Sequence, residues 1–319
     1  MHKTIALMSA AVAATLGTAV QAQTYPAKPV RLVVAFATGG ATDTFSRITA
    51  AELTKSLGQQ VIVENRPGAG TTIAAELVAK SAADGYTLLF TDMSTHAITP
   101  SLYSKLSYNP QRDLMAVAPV STSPLIMVAH PSLGVKSVKE LIALAKKNPG
   151  ITCGNSGVGT VTHMAAEKFR MRAGINLEMV NYKGGTTSTV SLLTGELSLI
   201  VNTIPAAIEY VRSKRLIAIG ITADKRVAAF PAIPALGETV QGVDAAVIAG
   251  IFAPANTPRN LIERLNAEIA KAVEAPRSRE IFAANAAEAM NLSPEAMQQM
   301  LEQDMKTWAD VVKATGVKQ

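Results

Sequence analysis

The sequence predicts an α/β protein of two lobes, with parallel sheet wrapped by helices and two crossing strands as the hinge. Short continuous apolar runs alternate with stretches of helical period, as expected of strands buried between helices. Two long apolar runs, Ala116–Ala129 and Ala245–Ala253, interrupt that alternation, so the chain enters a second lobe once and leaves it once. The Gly-rich and polar tracts that invite a ligand all fall at the carboxyl ends of predicted strands, where open parallel sheets bind ligands.

The first 22 residues read as a leader. Lys3 gives a positive start, Ile5 to Val20 is uncharged and Ala-rich, and Val20-Gln21-Ala22 ends in a small residue. The uncharged run is short for a membrane span, and no Cys follows it to carry a lipid. Cleavage is expected before Gln23, with export to the periplasm as a soluble protein. The remainder is long enough for two lobes: 23–122 with 251–319, and 123–250.

In the first lobe the apolar runs Val30–Phe36, Val61–Val63 and Tyr86–Phe90 are bounded by Gly, Pro or Asp and read as strands buried on both faces. Between them, Asp43–Leu57 carries Phe45, Ile48, Leu53 and Leu57 at helical spacing, and Thr71–Ala82 carries Ile73, Leu77 and Val78. Ala116–Ala129, broken by Pro119 and Pro124, is the outward crossing. The second lobe opens with helix Val138–Lys147, its Leu141, Ile142 and Leu144 buried, stopped by Asn148-Pro149-Gly150. Strand Ile151–Cys153, helix Thr160–Ala173, strand Leu177–Val180 and a Gly184-Gly185 turn follow. Helix Thr187–Leu193, strand Leu199–Val201, helix Ala206–Lys214 and strand Leu216–Ile221 complete it. Ala245–Ala253 is the return crossing. Helices Arg259–Val273, Ser278–Ala286 and Pro294–Ala314 close the chain, the last with Pro at its first position.

The net charge of +6 is spread over scattered residues such as Arg47, Lys80, Lys146, Lys168, Arg226 and Arg259. The tightest cluster, Arg212, Lys214 and Arg215, sits at a helix end, where cations suit the dipole. Nucleic acid is therefore not an expected partner. Cys153 is the single cysteine, and His2, His96, His130 and His163 lack metal-ligand spacing, so no disulfide, metal or cofactor is expected.

The tract Phe36-Ala37-Thr38-Gly39-Gly40-Ala41-Thr42-Asp43 empties a strand through Gly-Gly into a helix N-terminus. Free N–H groups and the helix dipole make such a junction an anion site, although Gly-Gly there also serves a tight turn. Asp43 is a helix cap or first-turn acid, a brace for the loop, or an acceptor for a ligand amine or hydroxyl. The tract Gly154-Asn155-Ser156-Gly157-Val158-Gly159-Thr160-Val161-Thr162-His163 repeats the recipe with three hydroxyls. It is neither a nucleophile elbow, since Val158 takes the fifth position, nor a dinucleotide fingerprint, since the third Gly is missing. His163 either contacts ligand or braces the loop from behind. Arg66 in Asn65-Arg66-Pro67-Gly68-Ala69-Gly70 is an anion clamp or a surface turn residue. Thr91 and Ser94 follow the third strand, Lys183 and Gly184 a strand of the second lobe, and Asn202 another. All are carried as ligand-binding candidates with the two Gly-rich tracts.

The chain resembles the periplasmic solute receptors of tripartite tricarboxylate transporters, the Bug proteins. The resemblance rests on Phe36–Asp43 with Arg47, Leu57-Gly58-Gln59, Val63 through Gly70, Asp84-Gly85-Tyr86-Thr87-Leu88-Leu89 and Pro100-Ser101-Leu102-Tyr103. Gly157, Gly159, His163, Tyr182-Lys183-Gly184, Ala253-Pro254, Thr257-Pro258 and Trp308 extend it over nearly the whole mature chain. It implies a type II periplasmic-binding-protein fold, a Venus flytrap, working as a monomer. A small organic acid (dicarboxylate, acidic amino acid or aromatic acid) would be held by its carboxylate between the two Gly-rich loops. Phe36 would cover the ligand's apolar body. The implied partners are the membrane subunits of such a transporter, and some family members act as sensory receptors instead. Three departures stand out: Thr38 for a usual Pro, Ile248 for a common Trp, and Asn202 where several members carry Asp. Asn removes a charge that suits a ligand ammonium. Catalysis finds no support, because Ser156 and His163 are the only nucleophile–base pair close in sequence and they carry no signature.

Overall fold

The computed structural model describes residues 25–318, and the expected leader lies outside them. In chain order the elements are β1 (Val30–Val34), α1 (Ala41–Leu57), β2 (Val61–Asn65), α2 (Thr72–Ala79), β3 (Thr87–Asp92), α3 (Met93–Leu102) and β4 (Leu114–Ala129). Then come α4 (Val138–Lys147), β5 (Thr152–Asn155), α5 (Val161–Ala173), β6 (Glu178–Asn181), α6 (Gly185–Leu193), β7 (Leu199–Thr203), α7 (Ile204–Arg212) and β8 (Ile217–Ile221). The chain ends with β9 (Ala246–Pro254), α8 (Arg259–Glu274), α9 (Pro276–Ala284), β10 (Glu288–Ala289) and α10 (Pro294–Thr315).

The strands divide into two lobes joined by two long crossings, as the sequence pattern leads one to expect. In the first lobe β1 pairs in parallel with β2 and β3, and β9 runs antiparallel between β3 and β4. In the second lobe β5 lies parallel between β6 and β7, while the far half of β4 pairs antiparallel with β7 and β8. The two crossings are thus β4 and β9, hydrogen-bonded to each other from Leu114↔Pro254 to Pro124↔Ala246. Register shifts interrupt their ladder between Ala116 and Ala118 and between Pro119 and Ser121. The expected lobe boundaries at 122/123 and 250/251 fall inside these two strands.

Side-chain alternation explains why both faces of the first sheet are covered. Leu32, Val34, Leu88 and Phe90 enter one core with Phe45 and Phe282, whose rings meet edge-on at 5.2 Å. Val33 and Leu89 point the other way, into a core that continues through Met93, Phe252 and Leu125 to Phe169 and Trp308. Each fully buried large side chain stabilises the fold by about 1.5–3 kcal/mol. α10 lies over α3 of the first lobe and α5 of the second.

Several expectations need correction. β2 is an edge strand with Ile62 half exposed, so it is not buried on both faces. Ile142 and Leu144 are only partly covered, and α4 buries Val138, Leu141 and Ala145 instead. Residues 93–102, to which the sequence pattern assigns no element, form α3. Asp92 caps it by accepting from Ser94 N and Thr95 N. The helix after Gly184 starts two residues earlier than predicted, at Gly185.

Candidate functional site

Strand direction sets the site. β1, β3, β5, β6 and β7 all empty toward one cleft between the lobes, and each is followed there by a helix N-terminus. Such termini leave their first N–H groups without intrahelical partners. What separates the five helices is whether the protein already uses those donors.

In the first Gly-rich loop, Gly39 N donates to Asp43 Oδ2 (3.1 Å), and Asn65 Nδ2 donates to Asp43 Oδ1 (2.9 Å) and to Phe36 O (2.9 Å). Arg47 Nε is the second donor to Asp43 Oδ2, at 3.1 Å. Burial raises the Asp43 pKa, but the bonds from Arg47, Asn65 and Gly39 outweigh it and hold the carboxyl below its ordinary range. Asp43 therefore braces the loop. Gly40 has no side-chain capping bond to the start of α1, and Phe36, Ala37, Thr38, Gly40, Ala41 and Thr42 line the cleft.

The second Gly-rich loop is largely self-satisfied. Ser156 N donates to Thr162 Oγ1 (3.0 Å), Gly157 N to Asn155 Oδ1 (2.9 Å), and Gly159 N to His163 Nδ1 (3.2 Å). His163 N turns to Thr160 Oγ1 at 3.4 Å, and Val161 N crosses to Thr95 Oγ1 of the other lobe at 3.0 Å. His163 is buried behind the loop, its Nε2 3.9 Å from Glu167. Burial lowers its pKa, which keeps Nδ1 an acceptor for Gly159. Ser156, Thr160, Val161 and Thr162 line the cleft.

The terminus that faces α1 is that of α6. A Cβ at Gly39 would stand 3.5 Å from Thr186 Oγ1, and one at Gly184 would stand 3.8 Å from Ala37 Cβ. No side chain caps α6, and Gly184, Gly185, Thr186 and Thr187 all line the cleft. Asn202 holds this turn in place. Its Nδ2 donates to Gly185 O (2.8 Å) and Thr189 Oγ1 (3.1 Å), and its Oδ1 accepts from Thr203 N (2.8 Å). A Cβ at Gly185 would come within 2.4 Å of Asn202 Oδ1, so this position needs Gly.

Between α1 and α6 the cleft encloses about 130 Å³. Lys183 is the one cationic side chain among the described residues that line it, and Asp92 is the one acid. Asp92 is fully buried and accepts from Ser94 N, Thr95 N, Thr95 Oγ1 and Ile248 N. Burial is the dominant effect on it and pushes its pKa up to about 6 despite those bonds. A second chamber of about 440 Å³ adjoins the first and shares Phe36, Ala37, Ser156, Thr160, Lys183 and Gly184 with it. Gly157 and Val158 line this second chamber.

Of the sequence candidates, Gly39, Asp43, Thr91, Asn155, Gly159 and His163 line neither chamber, and Ser94 lines a cavity on the hinge side instead. Arg66 pairs with Glu64 at 2.6 Å as an exposed turn residue. Thr186, Thr187 and Val247 line the cleft without having been singled out by sequence. The uncapped α6 start is readable in the sequence, because Gly184 stands at the cap where a side-chain acceptor such as Asp, Asn or Ser would otherwise sit. Among the described residues no group of three or more His, Cys, Asp or Glu could hold a metal ion.

A family model for the tripartite tricarboxylate transporter family receptor matches residues 45–317. Protein BugT of Bordetella pertussis is 37% identical over 312 residues, covering 96% of this chain and 95% of its own. Among solved structures, the periplasmic binding protein BugD superposes with a TM-score of 0.87 at 30% identity, over 92% of this chain and 99% of its own. R. palustris Rpa4515 with adipate gives 0.88 at 30% identity over the same shares. MatC from Rhodopseudomonas palustris with bound malate gives 0.85 at 28% identity, over 90% of this chain and 100% of its own.

Proposed function

The chain belongs to the tripartite tricarboxylate transporter receptor family, a family of solute-binding proteins rather than enzymes, and we propose that it captures a small organic acid in the periplasm. The observation that carries this is the opposition of two helix N-termini without side-chain caps, α1 and α6, across one small cleft. A carboxylate between them meets main-chain donors from both lobes. Each dipole contributes about 0.3–2 kcal/mol, and each charge-assisted hydrogen bond about 1.5–3 kcal/mol. A few such bonds reach the roughly 8 kcal/mol of micromolar binding. Only interactions that form as the second lobe closes can shift the open–closed equilibrium, so the α6 donors act as the latch. The relatives bound to adipate and malate support an acid as ligand.

The closed form would then deliver the acid to the membrane subunits of a tripartite tricarboxylate transporter, the leader having been removed before Gln23. Thermal-shift screening against malate, succinate, adipate, benzoate and aspartate tests the capture step. A ligand selective for the folded state raises Tm. If none of these acids raises Tm at millimolar concentration, the proposal fails. Delivery is tested by deleting the membrane subunits, which should abolish uptake of the acid while leaving its binding intact.

A further inference from the structure

Apart from the α1–α6 clasp, the lobes are fastened to each other at the start of α5. Val161 N, the first helical donor, points across the lobe boundary to Thr95 Oγ1 on α3 at 3.0 Å. Both residues are buried, Thr95 completely. A hydroxyl carries one proton, and Thr95 gives its proton to Asp92 Oδ2. Only its lone pairs are left for Val161, so Asp92 fixes which way the hydroxyl faces. Asp92 Oδ1 at the same time accepts from Ile248 N, on the return crossing β9, at 3.0 Å. A relay thus runs from the hinge strand through Asp92 and Thr95 into the second lobe.

Close packing reinforces the relay. α3 approaches the second Gly-rich loop so nearly that a Cβ at Gly159 would stand 2.4 Å from Leu102 Cδ1. Gly159 also adopts φ +75°, so both space and backbone favour glycine there. Thr95, Leu102 and Gly159 line neither chamber of the cleft. These interlobe contacts therefore form whether or not a ligand is present.

Resting on the reading of the cleft as a carboxylate clasp, we infer that Thr95 is a positioning residue for capture: it holds the α5 start on the first lobe and stabilises the closed arrangement before any ligand arrives. When the lobes part, Val161 N and Thr95 Oγ1 lose each other and turn to water. When they close, the bond between them offsets part of the cost of desolvating both. A ligand that binds only the closed form has an apparent affinity scaled by the closed fraction. Thr95 thus sets affinity without touching the ligand, and Asp92 acts through it by orienting the hydroxyl.

A distance measurement without ligand tests this. Ile73→Cys on α2 and Val190→Cys on α6 put one spin label on each lobe, since both positions are exposed and the native Cys153 is buried. Thr95→Val keeps the shape and removes the hydroxyl, while Asp92 keeps its bonds from Ser94 N, Thr95 N and Ile248 N. Closure then buries Val161 N without an acceptor, so the closed-to-open odds should fall about tenfold. Thr95→Ser should restore most of them. Thr99→Val is the matched control one turn along α3. Its Oγ1 bonds to Gly70 O within the first lobe at 2.9 Å, so it should lower Tm without moving the odds. Calorimetry with adipate should show affinity falling in Thr95→Val in proportion to the closed fraction. The proposal is overturned if the unaltered protein has no closed population without ligand. It is equally overturned if Thr95→Val lowers Tm but leaves distances and affinity unchanged, or if Thr99→Val shifts the odds as much. If adipate and the other acids bind no variant while Thr95→Val still opens the lobes, the clasp falls and the role of Thr95 in closure stands.

Discussion

Asn202→Asp changes one atom pair in the bracket behind the α6 turn, and the structure fixes the sign of its effect. Asn202 is fully buried, and its Nδ2 stands 2.8 Å from the carbonyl oxygen of Gly185. An ionised carboxylate there puts oxygen against oxygen and buries a charge. A protonated carboxyl restores a donor. The introduced group therefore has a folded-state pKa raised above its unfolded value near 4. A rise of two to three units corresponds to about 3–4 kcal/mol at 1.36 kcal/mol per unit. By linkage, the variant is nearly as stable as the parent below pH 4 and loses that energy as pH rises through the raised pKa. At pH 8 the expected Tm deficit is roughly 6–16 °C, taking 2–4 °C per kcal/mol for a chain of this size. Urea and thermal melts at pH 4 and pH 8 measure it. Equal melting points at pH 8, or a deficit of the same size at both pH values, would refute the hydrogen-bond assignment. Malate binding should weaken at pH 8 by an order of magnitude. Aspartate should lose less, because its ammonium can face the new charge.

Two more perturbations probe other parts of the cleft. Asp92 titrates near 6 because burial dominates it, and a carboxylate ligand nearby favours its protonated form further, so affinity should fall as pH rises from 5 to 7.5. The same raised pKa means that the stability it contributes is complete below its unfolded value and is lost as pH rises through about 6. Calorimetry giving one affinity at both pH values would contradict this. His163→Ala leaves Gly159 N without its acceptor, which should lower stability by about 1–3 kcal/mol and weaken binding less than tenfold. A loss above a hundredfold would mean that the ring touches the ligand.

Much of the first lobe was legible because its strands and helices have strong, conflict-free periodicity. Phe45, Ile48, Leu53 and Leu57 announce α1, and Gly39-Gly40 its open start. α3 was not legible. Thr95, Ile98 and Thr99 are weak helix formers and Pro100 stands inside the last turn, so propensity argues against a helix that packing against α10 then enforces. The edge position of β2 depends on which strands pair, and sequence does not state pairing. The site was half legible. Strand ends located the loops, but which N–H groups stay free depends on partners such as Thr162, Asn155 and Thr95. The last of these reaches across from the other lobe. That is why the second Gly-rich tract looked like the opposing half of the clasp, while the Gly184-Gly185 turn faces α1.

β4 belongs to two sheets at once: its first half is stitched to β9 and its second half to β7 and β8. No cut of the chain can therefore release either half of the molecule with its sheet whole. A fragment ending near residue 122 would expose an unpaired edge, and so would one beginning there. Unfolding should accordingly register as a single cooperative transition by every probe, despite a shape that invites description as two modules.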